Sequence, residues 1–166
     1  MPVYSKNLWQ YFKEFSVRNE EIDMASRFKL FKNIISGLRC IQEEGFSHLD
    51  IKPSNILINC DASGKWNQVD CVITDFGIGG ESDKLTGLAG TPGFASPEQL
   101  IGEPSSKSDN YSFGVLCIFI FVEWNTAWSL LYRPIKDACR TRCANYLRDV
   151  FDVITSLLQV NPSFVL

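Results

Sequence analysis

The stretch His48-Leu49-Asp50-Ile51-Lys52-Pro53-Ser54-Asn55-Ile56-Leu57 decides the reading of this chain. Polar and charged residues alternate with branched apolar ones, a pattern too polar for a core strand. Pro53 has a fixed φ and no N–H, which blocks a regular helix or an interior strand. A structured loop is therefore expected, running into a strand that begins near Ile56. Asp50, Lys52 and Asn55 supply a base, a cation and an amide oxygen within six residues. Phosphoryl transfer needs that set: an acceptor for a hydroxyl proton, a positive charge at the phosphate, and an oxygen ligand for magnesium.

Composition narrows the class. The chain has 166 residues, is 45% hydrophobic and 21% charged, and carries net charge −3, enough for one globular core. The mild acidity and the lack of a basic stripe argue against a nucleic-acid partner. The six cysteines form no C-x-x-C pair, and His48 is the single histidine, so a structural zinc site is not expected. Free or buried thiols in a reducing cytosol are. The first fifteen residues lack the apolar run of a signal peptide. The longest apolar run, Val115 to Val122, is far below the roughly 18 residues of a membrane span. There is no internal repeat.

In chain order, Asn7 to Phe15 predicts a short helix with Leu8, Tyr11, Phe12 and Phe15 on one side. Arg18 to Asp23 reads as a solvated linker. Met24 to Glu44 predicts an amphipathic helix whose core face carries Phe28, Phe31, Ile34, Ile35, Leu38 and Ile41. Gly45 supplies a left-handed stop. Ile56 to Asn59 and Gln68 to Thr74 predict a hairpin with a protruding tip around Ser63 to Asn67. Asp75-Phe76-Gly77 follows it. Gly79 to Gly93 is glycine-rich, polar and without periodicity. Ser105 or Ser106 is a candidate N-cap for a helix from about Asp109 to Glu123. That helix is apolar all round and so buried on every side. Ala138 to Leu158 is also helical in pattern.

These motifs, in this order, resemble the protein kinase superfamily. His48-Leu49-Asp50 through Asn55 is similar to the catalytic loop H-R-D-L-x-x-x-N, with the lysine of the serine/threonine type. Asp75-Phe76-Gly77 is similar to D-F-G, and Ser96-Pro97-Glu98 to A-P-E. The fold the resemblance implies is α+β and mostly helical: a kinase large lobe with a short β-hairpin carrying the catalytic loop and the D-F-G segment. One domain is expected over residues 1–166, comprising hinge and large lobe, with Met1 to Tyr4 similar to the hinge. The G-x-G-x-x-G loop, the V-A-I-K lysine and the glutamate that pairs with it are not in the sequence, so the small lobe is absent from this reading.

The resemblance implies roles residue by residue. Asp50 is the base and Lys52 steadies the γ-phosphate. Thr91 bridges Asp50 and Lys52 and supports the substrate shelf. Asn55 and Asp75 hold Mg2+. Leu57 floors the adenine of ATP, and Thr74 backs the nucleotide site, where Lys52 and Asn55 also contribute. Phe76 is a buried plug, and Asp109 accepts backbone N–H bonds from the catalytic loop. The implied activity is ATP-dependent phosphorylation of a protein hydroxyl. The alternative is a catalytically inactive, pseudokinase-like binding or scaffold module; a helical domain with chance motifs is a third reading. The implied partners are a protein substrate and a lobe or partner that covers the nucleotide face. The implied compartment is the cytoplasm, with the nucleus also open. Two departures stand out. Leu49 replaces the arginine that receives an activation-loop phosphate, and Val165 replaces the arginine that pairs with the A-P-E glutamate, here Glu98.

Overall fold

A computed structural model of the chain describes residues 4–59 and 70–121, together with Ser156. The described residues form four α-helices and two small sheets. Helix α1, Leu8–Arg18, starts at Asn7, whose Oδ1 accepts from the Gln10 N–H (2.8 Å) while Gln10 Oε1 accepts from the Asn7 N–H (2.9 Å). This reciprocal cap satisfies two of the donors a helix start leaves open. Asn19, left-handed at φ 53°, ends α1. Lys6 and Asn7 also form a short strand, β1, that the sequence pattern does not announce.

Helix α2, Met24–Glu43, is capped by Asp23, which accepts from the Ser26 N–H at 3.0 Å. Gly45 follows it with φ 75°, the left-handed stop read from the sequence. The core face of α2 is not quite the one expected. The buried stripe is Ser26, Leu30, Ile34 and Leu38, a run at i+4 spacing, while Phe28 and Ile35 are 38% and 40% exposed. The reason is that α2 packs on both β4 and α4. The rings of Phe28 and Phe31 turn toward Phe121 and Phe113 of α4, at 5.2 and 5.5 Å. Gly37 lies against Ile73, where an added Cβ would stand 3.2 Å from a side-chain carbon. Likewise, the expected linker after α1 is not wholly solvated, because Ile22 is buried in the core.

Strand β2 is Phe46–Ser47. Pro53–Asn55 then forms a single 3-10 turn leading into β3, Ile56–Asn59. Strand β4, Asp70–Ile73, pairs antiparallel with β3 in the register Ile56↔Ile73 to Asn59↔Asp70. β1 pairs antiparallel on the other side of β3, giving the order β1-β3-β4. The expected hairpin is present, and its tip lies outside the described residues. Strand β5, Gly80–Glu81, pairs antiparallel with β2, tying the start of the glycine-rich segment to the residues just before His48.

Helix α3, Pro97–Leu100, is a single turn, and helix α4, Ser108–Phe121, starts one residue before Asp109. Every residue of α4 from Ser112 to Phe121 is buried, as its uniform apolar character requires. The Ser105 side chain accepts from the Lys107 N–H (3.2 Å), so it shapes the turn before α4 rather than capping the helix itself. The helical pattern of Ala138 to Leu158 lies outside the described residues, Ser156 apart. Cys40, Cys71 and Cys117 are free thiols, and burial pushes the Cys117 thiol up, away from nucleophilic use.

The shifted core face of α2 gives a direct check. Leu30→Ala removes a fully buried side chain and is expected to cost about 2–5 kcal/mol. Ile35→Ala, at a partly exposed site, is expected to cost about 1 kcal/mol. Urea unfolding of the two variants measures the difference, and equal losses would contradict the packing.

Candidate active site

The loop between β2 and β3 has little regular hydrogen bonding of its own. It is held mostly from α3 and α4. Asp109, fully buried near the start of α4, accepts the His48 N–H at Oδ2 (2.6 Å) and the Leu49 N–H at Oδ1 (2.7 Å). Burial raises the Asp109 pKa, and these two bonds counter the rise without cancelling it. The Leu49 carbonyl accepts from Gln99 Nε2 (2.8 Å), and Gln99 Oε1 accepts from the Ser96 N–H (2.9 Å). Ser112 Oγ, on α4, donates to the Phe94 carbonyl at 2.8 Å. Leu49 itself is buried and left-handed, at φ 64°.

His48 is fully buried and links two parts of the site. Its Nδ1 accepts from the Asp50 N–H (3.2 Å), which leaves Nε2 to donate to the Thr74 carbonyl (2.9 Å). The Thr74 N–H in turn donates to the Asn55 carbonyl at 2.9 Å. The end of β4 is thereby fixed beside the His48–Asn55 loop.

Four of the singled-out side chains meet in one bonded group. Lys52 Nζ donates to Asp50 Oδ2 (2.7 Å) and to Thr91 Oγ1 (2.8 Å). Thr91 Oγ1 donates to Asp50 Oδ1 at 2.7 Å. Asn55 Nδ2 donates to Asp50 Oδ2 (3.1 Å) and to the Asp50 carbonyl (2.9 Å). Burial opposes ionisation of Asp50, but the bonds from Lys52, Thr91 and Asn55 and the Lys52 charge outweigh it. They hold the carboxyl below the ordinary value of 3.8. The site is therefore a positioned carboxylate with an adjacent cation, and not a carboxyl raised to serve as a strong base.

Leu57 and Thr74 stand nearby on the sheet. Leu57 pairs across from Val72 on β4 and from Asn7 on β1. Asp75 is exposed and left-handed at φ 68°, and its carboxylate has no hydrogen bond among the described residues. Phe76 is not the buried plug the resemblance implies. It is 50% exposed, with its ring against His48 at 4.8 Å. Since His48 already fills the buried space behind the loop, Phe76 covers it from outside.

The donor set bears on a metal. Among the described residues, no group of three or more His, Cys, Asp and Glu side chains could hold an ion alone. Asn55 spends its amide nitrogen on Asp50, which leaves Oδ1 as a ligand, and Asp75 has a free carboxylate. Two hard oxygens fit magnesium, which keeps several waters and takes further oxygens from phosphate.

Glu98 differs from its neighbours. Its Oε1 accepts from Ser108 Oγ at 3.3 Å, but Oε2 is buried with no hydrogen-bond partner among the described residues. Val165, the position expected to face it, lies outside those residues. Gln99 and Ser112 were not among the singled-out residues. Gln99 had a signal, since Ser96-Pro97-Glu98-Gln99 follows the S-x-x-Q capping pattern. Ser112 had none beyond its polarity within an apolar helix.

Residues 3–163 match the family described as the protein kinase domain, and the chain belongs to that family. It is 39% identical over 113 residues to the cysteine-rich receptor-like protein kinase 6 of Oryza sativa subsp. japonica, covering 62% of this chain and 15% of that protein. It is 27% identical over 160 residues to the calcium/calmodulin-dependent protein kinase type II alpha chain of Drosophila melanogaster, covering 89% of this chain and 29% of that protein. Among solved structures, the yeast RNA Pol II CTD kinase CTDK-1 complex contains a chain that matches with TM-score 0.62 and 25% identity. The match covers 73% of this chain and 38% of that one. The chain thus spans less than a third of the length of these curated relatives. The fold is α+β and kinase-like.

The lowered Asp50 pKa carries a pH prediction. A carboxyl whose folded value lies below its unfolded value adds stability above the unfolded value, and that stability is lost as pH falls through the folded one. The urea stability of the native protein minus that of Asp50→Asn is therefore expected to be flat above about pH 5 and to shrink below it. A difference that grows on acidification would contradict the bond network.

Proposed function

We propose that this protein kinase domain transfers the γ-phosphate of ATP to a serine or threonine hydroxyl of a protein substrate, with Mg2+ as cofactor. The observation that supports this most is the closed bond set joining Asp50, Lys52, Thr91 and Asn55. A catalytically silent binding module would not need a cation, a hydroxyl and an amide all directed at one carboxylate.

Each residue has a role in this reading. Asp50 orients the substrate hydroxyl and accepts its proton. With its pKa lowered, it acts through placement, the main resource in phosphoryl transfer. Lys52 carries the positive charge that steadies the transferring phosphoryl group, reached by turning Nζ outward from Asp50 and Thr91. Thr91 holds the activation segment in register with both. Asn55 and Asp75 would hold magnesium, which when bound neutralises charge on the phosphates. Leu57 offers an apolar floor for the adenine, and Thr74 closes the back of the nucleotide site.

Phe76 and Ile78, 50% and 47% exposed, flank the D-F-G segment. Apolar groups placed there suit a covering lobe or partner that would take them out of water and press the nucleotide onto the site. We also read the protein as cytoplasmic; no helix among the described residues is long and apolar enough to cross a membrane. Leu49 is apolar and buried, so it offers no cation to an activation-segment phosphate. Control by such a phosphate is not expected to act through this position.

Two substitutions test the reading in the full natural chain. Asp50→Asn is expected to lower phosphotransfer by about 10²–10⁴-fold while ATP binding persists. Asp75→Ala is expected to abolish the magnesium-dependent part of the thermal shift produced by ATP. Native protein that binds ATP and magnesium but transfers nothing to any peptide would contradict the catalytic reading.

A further inference from the structure

Leu49 is a bulky residue in a backbone region where a Cβ is disfavoured, at φ 64°. Such a conformation persists only when its surroundings fix it. Both polar groups of Leu49 are fixed from outside the loop: the N–H by Asp109, the carbonyl by Gln99. Gln99 is 0% exposed, and both ends of its amide are bonded, one to the Leu49 carbonyl and the other to the Ser96 N–H. One side chain therefore joins the peptide just before Asp50 to the start of α3.

The approach also depends on Gly90. A Cβ added there would lie 2.9 Å from Gln99 Nε2, from the Leu49 carbonyl oxygen and from Ala95 Cβ, and Gly90 has φ 90°. Gly90 immediately precedes Thr91, as Leu49 immediately precedes Asp50. The Gln99 amide is thus packed between the two chain segments whose next residues, Asp50 and Thr91, bond each other at 2.7 Å.

We propose that Gln99 is a positioning residue for phosphotransfer: its buried amide fixes the Leu49–Asp50 peptide against the activation segment and so sets Asp50 relative to Thr91. The inference rests on the kinase reading above. The role needs a neutral group that both donates and accepts. Gln99→Met keeps the size and removes both bonds. Gln99→Glu keeps the acceptor, but when ionised sets an oxygen lone pair against the Leu49 carbonyl. A protonated carboxyl there would donate again and restore both bonds, and burial favours that form. Gln99→Glu therefore rescues itself as pH falls.

The test compares native protein, Gln99→Met and Gln99→Glu in the full natural chain from about pH 8 to about pH 5.5, the range over which a buried carboxyl is able to titrate. Phosphotransfer is read together with the hydrogen-exchange protection of the Leu49 and Asp50 amides. On the elements packed around Gln99, the titratable and charged groups are Glu98, His48, Asp50, Lys52, Asp109, Tyr111 and Cys117. They are common to all three proteins, so ratios to the native protein remove them. Gln99→Met is expected to lower kcat roughly tenfold or more with the ATP KM within about twofold, the split of lost positioning without lost binding. Gln99→Glu is expected to show a similar deficit at high pH that closes as pH falls, with amide protection returning in parallel. If Gln99→Met does not fold, the pH dependence of Gln99→Glu decides alone. If the native protein transfers no phosphate, the kinase reading fails and the exchange data still decide the clamp. Native-like kcat and protection in Gln99→Glu at high pH, or a deficit in it that is the same at every pH, would overturn the proposal.

Discussion

The carboxylate of Asp109 sits fully buried near the start of α4 and receives the backbone N–H groups of His48 and Leu49. The rest of the site depends on this contact. Removing a charged group from water costs several kcal/mol, and hydrogen bonds to a charged acceptor return about 1.5–3 kcal/mol each. The raised pKa of Asp109 shows burial outweighing the bonds. The contact is thus a fixed and costly feature whose outcome is geometry. It seats the loop on a helix that is itself buried from Ser112 to Phe121.

From that platform the loop takes an arrangement it would not adopt alone. Leu49 and Asp75, the one just before Asp50 and the other just after Thr74, are both left-handed. Each such residue costs about 1–3 kcal/mol and needs its surroundings to hold it. For Leu49 the surroundings are α4, through Asp109, and α3, through Gln99. Asp75 follows Thr74, which is tied at its N–H to Asn55 and at its carbonyl to His48. Strain at the site is therefore matched by bonds from neighbouring elements, and the functional side chains are placed by backbone anchors more than by their own packing. The lowered Asp50 pKa follows from the same arrangement, since Lys52, Thr91 and Asn55 all point at its carboxylate.

Much of this was legible in the sequence, because local rules and tertiary structure agree. A helix from Asn7, the span of α2, the stop at Gly45, the hairpin of β3 and β4, and the buried α4 all follow from periodicity, turn residues and composition. The kinase-like fold was legible from the order of the motifs. The parts that were not legible have physical causes. Leu30 displaced Phe28 and Ile35 from the core because α2 has two packing partners, which a single hydrophobic stripe cannot express. β1, β2 and β5 are two-residue strands, too short for any alternation to show. Phe76 lays its ring on the buried His48 and stays half exposed, a placement visible only in three dimensions. Gln99 carried a capping pattern, but its second bond, to Leu49, crosses fifty residues and leaves no local trace.

Asp109 locks the backbone of the His48–Asn55 loop to the core through the two bonds it accepts from His48 and Leu49. Native-state hydrogen exchange of the His48 and Leu49 amides tests it most directly. The account predicts that both exchange only through global unfolding, with the same opening free energy as the amide of Leu116 in the buried part of α4. Exchange of either amide through local opening, well below that free energy, would contradict it.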